Sequence, residues 1–160
     1  QLTETAKKTA TMFVADSQSS SQIGDISRYK NAQLLTPTEF EARLALRDQN
    51  SGLAKMGHDL LAATNSTNVF VKLGASGVLI VSSEPSSTEQ QVDRLPAFNA
   101  LPKDVSGAGD SMLTAASLAL AAGASTWEAA FIGSIAAGIQ TGRLGNVPIS
   151  TDELTDSLIK

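Results

Sequence analysis

The residues of this sequence best equipped for chemistry are Asp104-Val105-Ser106-Gly107-Ala108-Gly109-Asp110-Ser111. Two glycines around an alanine let the backbone turn sharply and leave its N–H groups uncovered by side chains. An Ala-rich run from Met112 to Ala122 reads as a helix, whose start adds unpaired N–H groups and the positive end of its dipole. Together these make a place for an anion, most simply a phosphate. Asp110 is out of keeping with that, because a fixed carboxylate repels an anion. It fits if a base must take a proton from the group that attacks a phosphate. An ordinary glycine-rich loop with an acid near a helix N-terminus accounts for the same residues. On the loop alone both readings stay open.

The elements that must position this loop alternate in type. Thr11 to Ala15 and Ala32 to Thr36 are short apolar runs of strand type, the first ending at Asp16 and the second at Pro37. A helix follows with Thr38 as N-cap and Glu39 and Glu41 in its first turn, and another runs over Leu53 to Ala63. Asn68 to Leu73 and Val78 to Ser82 are strands around the turn Gly74-Ala75-Ser76-Gly77, which by itself reads as a hairpin. Val92 to Phe98 is expected as an edge strand interrupted by Pro96. Beyond the signature loop, Gly123 ends the first Ala-rich helix and Ser125 caps a second. On that second helix Trp127, Phe131, Ile135 and Ile139 are spaced for one apolar face, with Trp127 in the core. A terminal helix over Thr151 to Ile159 is expected to be capped by Thr151. A short helix over Leu2 to Lys8 and polar loops over Ser17 to Ser21 and Ser83 to Gln91 complete the chain. The pattern is α/β with a largely parallel sheet, in which ligands sit at strand carboxyl ends and helix amino ends.

Bulk properties narrow the partners. The 160 residues can bury a sizeable core and are expected as one domain over 1–160. A net charge of −4 argues against nucleic acid and against an anionic membrane surface. No apolar run approaches the roughly 18–20 residues of a membrane span. With no cysteine there is neither a disulfide nor a thiolate metal site, which is compatible with a reducing cytoplasm, the expected location. The single histidine, His58, has no second histidine to complete a metal site and is given no role. The first residues, from Gln1, read like the end of a helix, so a fragment is expected.

The stretch Asp104 to Ser111 resembles the second signature of the ribokinase-like (PfkB) carbohydrate kinases, D-T-x-G-A-G-D, with Val105 where Thr is usual. The resemblance implies a three-layer α/β/α fold with a mostly parallel sheet. It places the catalytic base on Asp110 and the anion hole on the amides of Gly107, Ala108 and Gly109. Lys72-Leu73-Gly74-Ala75-Ser76-Gly77 resembles the strand-Leu-Gly-x-x-Gly element that lies against the nucleotide, which implies cofactor-binding roles for Lys72, Gly74 and Gly77, and for Ser106 in the loop. Ala136, Ala137 and Gly138 are expected to line the adenine pocket. Pro37-Thr38-Glu39-Phe40-Glu41 is similar to the family's Pro-Asn-x-x-Glu, so Glu41 takes the acid that organises magnesium through water, while Thr38 replaces the Asn. Tyr29 to Ala32 and Gly142 to Gly145 most resemble the heptose-phosphate kinase branch, although Asp16-Ser17-Gln18 departs from its Asp-Pro-Lys and loses a phosphate-contacting cation.

These matches run from Asp16 to Ile149 and correspond to the carboxyl-terminal half of a typical member. ATP, magnesium and a sugar or sugar phosphate are the implied ligands. Self-association or a complementing amino-terminal half is the implied partner. The parent is expected to be a carbohydrate kinase. The alternative is a regulatory or nucleotide-binding module that keeps the fold without transfer. A Walker-type NTPase is disfavoured because G-x-x-x-x-G-K-[ST] does not occur. A fused nucleotidyltransferase has no visible counterpart.

Overall fold

A computed structural model describes residues 5, 6, 8, 9, 11–18, 24–83 and 91–159. The expected helix over 2–8 and the loop over 17–21 fall partly outside these residues, and the loop over 83–91 almost wholly so. The described strands are β1 (Val14–Ala15), β2 (Leu34–Leu35), β3 (Asn68–Lys72), β4 (Val78–Ser82) and β5 (Gln91–Leu95). They form one sheet in the order β1-β2-β3-β4-β5. β1 and β2 are parallel with Val14 opposite Leu34, and β2 and β3 are parallel with Leu34 opposite Asn68. Residues 73–77 link β3 to its neighbour β4, too short a span for the crossover that a parallel pair needs, so these two form a hairpin. β1, β2 and β5 are shorter than expected. β5 stops at Leu95 because Pro96 has no N–H to continue the ladder.

The chain divides into two compact units, Gln1–Leu73 with Leu79–Arg94, and Gly74–Val78 with Leu95–Lys160. In the first, one apolar cluster joins Val69 and Val71 of β3, Leu79 and Val81 of β4, and Leu35 of β2 to Met56, Leu60 and Leu61. The three latter residues lie on α2 (Leu53–Thr64), which follows α1 (Glu39–Leu46). Phe70 and Ile80, on the opposite face of β3 and β4, are also fully buried, as expected of strands covered on both sides.

The second unit holds α3 (Ala108–Ala121), α4 (Thr126–Thr141) and α5 (Thr151–Ile159). The face of α4 packed inward is Ala129, Ala130, Gly133, Ala136 and Gln140, not the Trp127–Ile139 face expected from hydropathy. Of that expected face only Ile135 is buried, and Trp127 is half-buried. Close approach explains the difference: a Cβ on Gly133 would stand 3.0 Å from the Met112 carbonyl oxygen and 3.1 Å from Ala116 Cβ. Small residues let α3 and α4 touch, and the bulky ones are left on the other side.

Caps set the helix starts. Ser125 and Glu128 form a reciprocal capping box on α4. Ser125→Ala is expected to lower stability by about 1 kcal/mol, read as a shifted urea midpoint with unchanged slope. On α5 the box is made by Ser150 with Glu153, so the cap lies one residue before the expected Thr151. Among the described residues no helix is long and apolar enough to cross a membrane.

Candidate functional site

The signature stretch lies in the second unit. Its helix begins at Ala108, one turn before the expected Met112, so Gly109 and Asp110 belong to the first turn of α3. Gly is tolerated there because the first N–H groups of a helix have no intrahelical partner. The Ser111 N–H donates to the Gly107 carbonyl oxygen at 2.9 Å, and the Ala108 N–H donates to Val105 O at 3.2 Å. The N–H groups of Gly107, Gly109 and Asp110 have no protein acceptor among the described residues. Asp110 is exposed on this turn, and its carboxylate engages no other described residue.

Gly107 is the N-cap of α3, with φ at +75°, in the left-handed region that costs other residues strain. A Cβ there would also stand 2.2 Å from Asn146 Oδ1.

The loop is held by the side chains of Asp104 and Gln140, to which the sequence alone assigns no role. Asp104 Oδ1 accepts from the Ser106 N–H and its Oδ2 from the Gly145 N–H, each at 2.9 Å. Gln140, fully buried near the end of α4, donates Nε2 to Ser106 O at 3.0 Å and to Gly145 O at 2.8 Å. Its Oε1 accepts from Arg143 Nε at 3.2 Å, which fixes the amide's orientation. Hydrogen bonds from Ser106, through both its hydroxyl and its N–H, and then from the Gly145 N–H, hold the Asp104 carboxyl below its ordinary 3.8. A carboxyl held low in the folded chain stabilises it above the unfolded value, and that contribution is lost as pH falls through the folded value. Asp104→Asn is therefore expected to be less stable than the native chain at neutral pH and to converge on it as pH falls through the lowered folded value. Urea midpoints across that range provide the check.

Gly77 has φ at +88°, and a Cβ would meet Leu95 O at 2.0 Å, so its close approach is to the chain's own backbone. At Gly74 a Cβ would meet nothing within 4 Å. A cavity of about 660 Å³ lies on the bulky side of α4. Phe98, Phe131, Ile135, Gly138, Arg143 and Leu158 are among its lining residues. Phe98 and Phe131 meet edge to face, 5.3 Å between centroids. Of the three small residues expected at an adenine pocket, Gly138 lines this cavity, whereas Ala136 is buried in the helix packing and Ala137 is not among the lining residues.

The remaining expected site residues lie in the first unit. Thr38 caps α1 and shares a capping box with Glu41: the Thr38 N–H donates to Glu41 Oε2 at 2.7 Å, and the Glu41 N–H to Thr38 Oγ1 at 3.2 Å. Glu41 is buried. Lys72 is not a free cation: its Nζ lies 2.5 Å from Asp16 Oδ2, both side chains largely covered. Burial raises the Asp16 carboxyl, Lys72 offsets this only in part, and the nearby charge of Glu41 adds to the rise. No group of three or more His, Asp or Glu among the described residues could hold a metal directly. With Oε2 engaged by Thr38, Glu41 offers one further oxygen, which suits a magnesium ion that keeps most of its waters and takes its other ligands from phosphates.

Comparisons with known proteins agree with the loop's resemblance. The model for the pfkB family carbohydrate kinases matches residues 1–152. The bifunctional protein HldE of Haemophilus influenzae (strain PittEE) is 32% identical over 136 residues, covering 84% of this chain and 28% of that protein. HldE of Geobacter metallireducens is 33% identical over 138 residues, covering 84% of this chain and 27% of that protein. Ribokinase from Thermotoga maritima superposes with a TM-score of 0.79 at 27% identity, over 98% of this chain and 52% of that one. Escherichia coli phosphofructokinase-2, at 24% identity and a TM-score of 0.81 over 99% of this chain and 50% of that one, shares the fold. The chain thus spans about half of these solved structures and little more than a quarter of the HldE proteins. The fold is ribokinase-like α/β, and the chain belongs to the pfkB family of carbohydrate kinases.

Proposed function

We propose that this chain is the nucleotide-binding and catalytic part of a kinase that moves the γ-phosphoryl group of ATP to a hydroxyl of a sugar or sugar phosphate. The observation that carries this reading is the first turn of α3, where unengaged N–H groups and the exposed Asp110 carboxylate share one helical turn. In the reaction the sugar hydroxyl oxygen attacks the γ-phosphorus in line as Asp110 takes its proton. The bond to the bridging oxygen breaks and ADP leaves. The N–H groups of Gly107 and Gly109 stabilise charge on the transferred group. Ala108 joins them only if its bond to Val105 opens. Magnesium, when bound, neutralises phosphate charge, and Glu41 is assigned to hold a water of its shell. Lys72, Gly74, Gly77, Ser106 and Ala137 keep the nucleotide-binding roles that the family resemblance implies.

A second reading is nucleotide binding without transfer. The capping box that engages Thr38 and Glu41, and the pairing of Lys72 with Asp16, favour it. Titrating Mg-ATP into the native chain by calorimetry, and then supplying hexose and heptose phosphates while following ADP release, tests both readings. Saturable binding with ADP release that depends on the sugar phosphate is expected. Binding without such release would establish the second reading, and no binding by a folded chain would overturn both.

A further inference from the structure

Gln140 stands out because its position serves no obvious packing need. It is a polar side chain with no exposure, yet both ends of its amide are satisfied, and its Nε2 joins two carbonyls from separate loops. One of those carbonyls is Ser106 O, half of the peptide unit whose other half is the Gly107 N–H. No peptide bond in the described chain is cis, and in a planar trans unit C=O and N–H point in opposite directions. Pinning Ser106 O against Gln140 therefore turns the Gly107 N–H away from α4 and outward. Without that pin the 106–107 peptide could rotate, since Gly107 tolerates many backbone conformations. The Asp104 bond to the Ser106 N–H fixes the preceding peptide but not this one.

We propose that Gln140 is a positioning residue for phosphoryl transfer, holding the Ser106–Gly107 peptide so that the Gly107 N–H faces the transferred phosphoryl group. The proposal rests on the reading of the Gly107–Asp110 turn as the phosphoryl site. Gly145 O, the second acceptor, ties the loop after α4 into the same clamp. The effect belongs to the charge that develops during transfer and not to ground-state nucleotide binding, because the donor matters most where negative charge grows.

The test compares two affinities within one sample: that for MgADP alone, and that for MgADP with aluminium fluoride, which mimics the phosphoryl group in flight. The native chain is expected to bind the mimic complex more tightly than MgADP. In Gln140→Met, which keeps the length and loses both donors, that gain should shrink by up to about 100-fold, the lower end of the loss seen when one oxyanion donor is removed outright, with MgADP affinity nearly unchanged. Gln140→Asn, one methylene too short to reach both carbonyls, serves as the second variant if Met does not fold. Each ratio is taken on one folded sample, so a general loss of stability cannot produce the change. If the native chain gains from aluminium fluoride and the variants gain equally, Gln140 has no positioning role and the phosphoryl-site reading stands. If the native chain gains nothing, the phosphoryl-site reading falls and the role of Gln140 with it.

Discussion

Asp110→Asn is expected to lower phosphoryl transfer by about a thousandfold, while Mg-ATP still binds with an affinity within a few-fold of native. The side chains are nearly the same size, and Asp110 is exposed without a partner among the described residues, so folding should register only the lost charge at the helix start, about 0.3–1 kcal/mol. What changes is proton affinity: an amide cannot take the proton of an attacking hydroxyl at neutral pH. A carboxylate beside a phosphate also repels it, so removing the charge should tighten nucleotide binding slightly if it changes binding at all. A first-turn acid without a catalytic role shows the stability loss alone, with no effect on chemistry. Measuring ADP release, Mg-ATP affinity and the thermal midpoint on the same variant separates the two. Equal turnover by Asp110→Asn would remove it as the base, and a lowered midpoint with unchanged turnover would make it a helix-dipole residue.

The signature loop was legible because its information is local: Gly107, Ala108, Gly109 and Asp110 are adjacent, and their types alone define a bare turn beside an acid. The same locality misplaced the start of α3. Gly-Ala-Gly reads as loop, although glycine is no obstacle in a first turn whose N–H groups await a partner. What holds the loop was not legible. Gln140 acts through Ser106 and Gly145, partners set by tertiary contact, and a glutamine in an Ala-rich helix carries no periodic signal.

Residue size misled in a different way on α4. Hydropathy selects Trp127 and Phe131, whereas helix contact at the distance that Gly133 permits selects alanines and glycines, and volume decided. In the first unit Thr38 and Glu41 were placed correctly at the start of α1, and the reading of Glu41 as a first-turn acid is matched by its capping box. Nothing local in the sequence links Lys72 to its partner Asp16, 56 residues away.

Substitutions at Gly107 should destabilise the chain in an order that identifies which constraint keeps glycine there. Two compete. The φ of +75° penalises any side chain, by about 1–2 kcal/mol for alanine. The second is space, since a Cβ would stand 2.2 Å from Asn146 Oδ1 and 2.5 Å from its Cγ. Asn146 is exposed, however, and its amide can swing outward at the cost of one rotamer change, about 0.5–1.5 kcal/mol at most. Backbone strain is therefore expected to dominate, and the ranking follows from it. Gly107→Asn should be mildest, because asparagine enters the left-handed region more readily than other residues, Gly107→Ala intermediate, and Gly107→Val worst, because β-branching makes a positive φ a severe outlier. Space would reverse the first two, since asparagine is larger than alanine. Repeating the series with Asn146→Ala removes the contact and leaves the strain: the order should persist, with each single cost falling by no more than the roughly 0.5–1.5 kcal/mol of the rotamer change. Thermal and urea midpoints give the order, and recovery of Gly107→Ala to native stability in the Asn146→Ala background would assign the glycine to space instead.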